Sequence, residues 1–98
     1  MTEQENKILL RKLKEISDIL DSQIKVRSTI GMGFTFIPTR VDVPEAFCKL
    51  YNSNLAYHEM RLCRAKSGQY WIEIRFSEIP FRKTLYWNGK KYVEYDGA

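Results

Sequence analysis

The chain reads as an α+β domain: an N-terminal amphipathic helix, a short second helix and a mostly antiparallel β-sheet. Three observations predict this. Apolar residues recur at helical spacing near the N-terminus, the run 70–77 alternates strictly between apolar and polar, and Asn88-Gly89 separates two β-forming runs. The coarse order is α-β-β-α-β-β-β-β, with the helices expected on one face of the sheet. Ninety-eight residues, 44% hydrophobic and 29% charged, read as a single domain over 1–98. A chain of this size buries roughly 60–70% of its unfolded surface, enough for one modest core.

Leu9, Leu13, Ile16 and Leu20 are spaced 4, 3 and 4, with Ile8 and Ile19 on the same side, which predicts a helix over 3–21. Lys7, Arg11, Lys14, Asp18 and Asp21 take the other side. The same spacing fits two heptads, so Leu9, Leu13, Ile16 and Leu20 serve either the chain's own sheet or a homodimer seam. A coiled coil usually needs three to four heptads, which favours the first.

Alternation in Ile24-Lys25-Val26-Arg27-Ser28 predicts a strand, Gly31-Met32-Gly33 a turn, and Phe34-Thr35-Phe36-Ile37 a second strand ended by Pro38. Asp42 then begins a short helix as N-cap, with Glu45 placed to complete a capping box and Pro44 tolerated in the first turn. Its apolar face is Val43, Ala46, Phe47 and Leu50, and Asn52-Ser53-Asn54 stops it.

From Leu55 the period becomes two. That places Tyr57, Glu59, Arg61 and Cys63 opposite Ala56, His58, Met60 and Leu62. In the next strand Tyr70, Ile72, Ile74 and Phe76 oppose Trp71, Glu73, Arg75 and Ser77. A two-residue type I′ turn at Asn88-Gly89 is expected to join strands 83–87 and 90–95. It sets Leu85, Trp87, Lys90 and Tyr92 against Tyr86, Lys91 and Val93, without saying which set faces the core.

Charge and aromaticity are concentrated late in the chain. Residues 60–98 carry eight basic side chains against four acidic, while residues 1–59 carry eight of each, so this stretch holds the whole net charge of +4. It also holds eight of the 13 aromatics. With a pI near 9.1 the composition favours an acidic partner. The chain opens Met1-Thr2-Glu3-Gln4-Glu5, acidic where a secretory leader is basic, and its apolar runs fall far short of the ~20 residues a bilayer requires. Two cysteines are too few for a secreted disulfide framework, so the expected compartment is the cytoplasm.

Motifs for chemistry are weak. Cys48, His58 and Cys63 lack the paired spacing of a zinc site, and a Cys–His nucleophile would have to be built from the same three residues. Gly31-Met32-Gly33 leads into β-formers rather than a helix, unlike a dinucleotide loop. The aromatic run of the RNA-recognition motif and the GXXG loop are absent from the sequence. No metal, cofactor or catalytic set is expected.

The remaining candidate is a basic–aromatic face on the C-terminal strands: Tyr57, Arg61, Trp71, Arg75, Trp87, Lys90 and Lys91. A non-catalytic module binding a protein of acidic or mixed surface would use Trp and Arg as anchors. A binder of single-stranded nucleic acid would stack bases on the same aromatics. Glu59 and Glu73 share that face and can neutralise Arg61 and Arg75, which favours the protein reading. Ordinary sheet packing, with aromatic cross-strand pairs and edge lysines, accounts for much of the same pattern.

Overall fold

In a computed structural model that describes residues 2–97, helix α1 (Glu3–Leu20) is followed by strands β1 (Ile24–Thr29) and β2 (Gly33–Pro38). Helix α2 (Val43–Tyr51) precedes β3 (Glu59–Arg64), β4 (Tyr70–Arg75), β5 (Lys83–Trp87) and β6 (Tyr92–Glu94). The expected order of elements is the observed one. The six strands form one sheet in the order β1-β2-β4-β3-β5-β6, antiparallel throughout except for the parallel pair β3–β5.

α1 starts at a capping box that the acidic opening supplies. Thr2 Oγ1 accepts from the Glu5 N–H at 3.1 Å, and the Thr2 N–H donates to Glu5 Oε1 at 3.3 Å. The apolar stripe faces the chain's own sheet: Leu9, Ile16 and Leu20 are buried and Leu13 packs against the same core. These four residues therefore do not form an exposed dimer seam. They are already in contact with Phe34, Phe36, Ile72, Ile74 and the rest of the core.

α2 begins at Asp42 as expected, but the capping box does not form, because Asp42 makes no side-chain cap bond. Pro44 occupies the second helical position and removes one of the two N–H groups an N-cap can reach. Ala46, Phe47 and Leu50 are buried and Val43 packs beside them.

Gly33 opens β2 opposite Arg75. A methyl group there would collide with the Ile74 carbonyl oxygen and stand 2.9 Å from Arg75 Cα. Gly33→Ala is thus expected to separate β2 from β4 and lower stability by about 1–3 kcal/mol, the usual cost of overpacking, measured by urea unfolding.

The hairpin departs from the expected turn. Trp87 pairs with Tyr92, so the loop has four residues, 88–91, and only Gly89 takes a positive φ in it. Asn88 Oδ1 accepts from the N–H groups of Lys90 and Lys91 at 2.9 and 3.0 Å, which satisfies the loop without a type I′ turn. Lys90 and Lys91 accordingly lie in the loop rather than on a strand. The two added residues leave the alternation intact. Tyr86 faces the core side with Leu62 and Phe47, and Leu85, Trp87 and Tyr92 take the other face.

The connection 76–82 carries the chain from β4 past the start of β3 to β5, and Arg82 anchors its end. With φ of 53°, Arg82 donates from Nη2 to the carbonyls of Leu50, Tyr51 and Ser53 at 3.1–3.3 Å and from Nε to Leu55 at 3.2 Å. Its backbone N–H donates to the Tyr57 carbonyl at 2.9 Å. A cation at the C-terminal end of α2 meets both the unpaired carbonyls and the helix dipole.

Candidate interaction face

Both helices pack on the sheet face that carries Phe34, Phe36, Met60, Ile72 and Ile74. Residues of opposite parity form the outer face. Across its middle, Thr35 pairs with Glu73, Glu73 with Arg61, and Arg61 with Leu85. One row along, Arg75 pairs with Glu59 and Glu59 with Lys83; in the other direction Trp71 pairs with Cys63.

The predicted residues divide. Arg61, Trp71, Arg75 and Trp87 lie on this face, while Lys90 and Lys91 project from the loop at its end, exposed. Tyr57 does not belong to it. Only 1% of Tyr57 is exposed, and its hydroxyl bonds Thr84 Oγ1 at 2.7 Å in the core. Residues 55–58 precede β3 and are outside the ladder, so the strand's alternation does not extend back to Tyr57. The same burial pushes the Tyr57 phenol pKa up.

The charges are ordered as a chain along the face. Arg61 Nε donates to Glu59 Oε2 at 2.8 Å and stands 3.8 Å from Glu73 Oε2, which is 3.9 Å from Arg75 Nε. Burial pulls the Arg61 pKa down, but the bond from Glu59 and the charges of Glu59 and Glu73 outweigh it and the net shift is upward. Arg61 and Arg75 are therefore already neutralised locally. Among the described residues, Arg27, Lys83, Lys90 and Lys91 have no ion-pair partner.

Aromatic groups border that charged row. Arg27 lies over the Trp71 ring at 6.0 Å, Arg61 over Tyr92 at 4.9 Å, and Trp87 meets Tyr92 edge-on at 5.2 Å. Alternation puts Arg27 with Lys25 opposite Ile24 and Val26, and the bulge between Val26 and Ser28 brings Ser28 opposite Thr35 to the same side. Tyr92 and Leu85 could be placed only after the hairpin's facing was known. Beneath Tyr92 the Cys63 thiol is 3% exposed and accepts from the Tyr92 hydroxyl at 3.2 Å. Burial pushes the Cys63 pKa up, and burial together with that bond pushes Tyr92 up to about 12.

Cys48 lies on α2, across the sheet from Cys63, beside the Tyr95 hydroxyl at 3.3 Å; both cysteines are free. A thiol that is buried and held protonated reacts slowly. Ellman's reagent at pH 8 is expected to label Cys48 in the folded chain and Cys63 only after unfolding; equal labelling rates would contradict this placement. Among the described residues no three His, Cys, Asp or Glu side chains converge on a metal position.

His58 lies apart from both cysteines. Its Nδ1 is 3.3 Å from Ser77 Oγ, and Ser77 donates its own proton to the Ile79 carbonyl at 2.7 Å. No helix among the described residues is long and apolar enough to cross a membrane.

Comparison with protein-family models, with curated proteins and with solved structures finds no significant match. The reading of this face therefore rests on its own chemistry.

Proposed function

We propose that the chain is a cytoplasmic, non-catalytic protein-binding module that docks its partner on the outer face of the sheet. The observation that carries this reading is the charge chain Glu59–Arg61–Glu73–Arg75, which removes two arginines from any role as phosphate ligands. What it leaves at the centre is a mixed, neutralised surface beside Trp71, Trp87 and Tyr92. Aromatic and arginine side chains are the commonest anchors of protein interfaces, and a rim of exposed lysines suits an acidic or mixed partner surface.

A paired comparison tests it. Affinity capture on the immobilised chain is run with wild type, Trp71→Ala and the double variant Lys90→Ala/Lys91→Ala. The expected result is a protein partner lost with Trp71→Ala, by tenfold or more in affinity, and retained by the lysine variant. Retention by a folded Trp71→Ala chain would remove the outer face from the account. Loss only with the lysine variant would favour a polyanion in its place.

A further inference from the structure

The outer face has a symmetry that suggests its occupant. Its middle strands are β4 and β3, and the charges on them are arranged in opposite order: Glu73 and Arg75 on β4 stand opposite Arg61 and Glu59 on β3. We propose that the partner docked on this face is a second copy of the chain, packed face to face about a two-fold axis that runs parallel to the strands between β3 and β4. This rests on the reading of the outer face as a protein-docking surface and names the protein.

The registers supply the argument. A two-fold axis in that position exchanges β3 with β4, β2 with β5 and β1 with β6. It sets Arg61 of each copy over Glu73 of the other, and Glu59 over Arg75, because each of these residues is already the cross-strand partner of its counterpart. Glu59 and Glu73 each gain a further cation from the other copy, which offsets part of the desolvation that burying ion pairs incurs. Trp71 meets the Cys63 row of the other copy, next to the Tyr92 ring. At the edges, β1 with Arg27 lies over β6 with Glu94.

An axis across the strands through the Glu73–Arg61 row would set Glu73 over Glu73 and Arg61 over Arg61; one midway to the Glu59–Arg75 row would match those four charges but leave Arg27 on β1 away from Glu94 on β6. Pairing β1 edge to edge would bring together Lys25 and Arg27 of two copies at a bulged strand, a feature that discourages such pairing. Isologous interfaces require a self-complementary surface, and the axis along the strands provides one that runs from the central charges out to the edge strands.

Size sets the expected strength. Six strands about 4.8 Å apart and about 20 Å long give a footprint of roughly 500 Å² per copy. The total of about 1,000 Å² is at the lower bound for a specific interface, so the dimer is reversible, with a dissociation constant in the micromolar range. Two sheets packed this way align within about 30°.

Sedimentation equilibrium on the full chain, from about 1 to about 500 μM, tests the proposal. The wild-type mass is expected to rise from 11.6 kDa toward twice that value. E73R turns the central Arg61–Glu73 pair into two cations and R61E turns it into two anions. Each alone is expected to weaken the dimer at least tenfold, and a one-to-one mixture of the two to recover a heterodimer. Trp emission of the wild type, which needs no variant, is expected to shift to the blue over the same concentration range as Trp71 and Trp87 are covered. A wild-type chain that stays monomeric, with no emission shift, would overturn the proposal while leaving docking of a different protein intact. A dimer that survives both variants would overturn it too, since the contact would then lie elsewhere.

Discussion

Replacing Arg82 with alanine is expected to lower the unfolding free energy by about 3 kcal/mol, although the residue is only half-buried and looks like one more surface base. The loss has a specific origin. Four carbonyl oxygens at the end of α2, those of Leu50, Tyr51, Ser53 and Leu55, accept from this one guanidinium. The ring of Tyr57 lies 4.7 Å below it. Leu50 would keep its bonds from Ser53, but the Tyr51, Ser53 and Leu55 carbonyls would lose the guanidinium, and the helix end would fray more readily. Arg82→Lys keeps the charge but lacks the planar fork, and is expected to recover less than half of the loss. Arg82→Gly removes the same bonds yet relieves the φ of 53°, so it should be milder than alanine by about 1 kcal/mol. Urea unfolding of the three variants checks this; an alanine variant as stable as wild type would show that the clamp contributes nothing.

The second large effect is at Tyr57. Tyr57→Ala is expected to cost about 3–5 kcal/mol, since it empties an aromatic volume in the core. Tyr57→Phe isolates the hydroxyl, which bonds Thr84 Oγ1 at 2.7 Å while Thr84 donates to the Arg82 carbonyl at 2.9 Å. That bond is worth about 1 kcal/mol. Because Arg82 and Tyr57 share a ring contact and a backbone bond, their losses should not add. A double-mutant cycle is expected to give a coupling of about 0.5–3 kcal/mol. Independent, additive losses would mean that loop 76–82 and the segment before β3 are held separately.

Neither of these two roles has a local signal in the sequence. The helix spacing of Leu9, Leu13, Ile16 and Leu20, the alternation of 70–76 and the turn residues at Gly31-Met32-Gly33 and Asn88-Gly89 each report a local geometry. From them the element order and the core side of β4 could be read before any coordinates. Arg61, Trp71 and Arg75 share one sheet face by simple alternation because β3 and β4 pair without interruption. Alternation extended back from β3 misplaces Tyr57, because the regular strand starts only at Glu59. The role of Arg82 is not legible because its partners are backbone carbonyls about 30 positions away, and carbonyls carry no sequence signal. Arg27 joins Trp71 only through the strand order that sets β1 two strands from β4, which has no local sequence signal.

The candidate face follows the same division. Which residues share it could be largely read from the alternation, but the ion pairs that neutralise its centre could not. Whether β5 neighbours β4 or β3 decides what stands beside Arg61, and only the tertiary structure answers that: β5 runs parallel to β3, next to it. The aromatic border of Trp87 and Tyr92 therefore joins Trp71 on one surface only once the sheet is assembled.

The central claim is that this surface receives a protein and not a nucleic acid. Fluorescence anisotropy with labelled single-stranded DNA, single-stranded RNA and duplex, titrated at low and then rising salt, tests it most directly. The account predicts no saturable binding even at low salt, where phosphate attraction is strongest. Binding that weakens log-linearly with salt, with a slope of roughly three or more displaced counterions, and that diminishes in the Lys90→Ala/Lys91→Ala variant would contradict it.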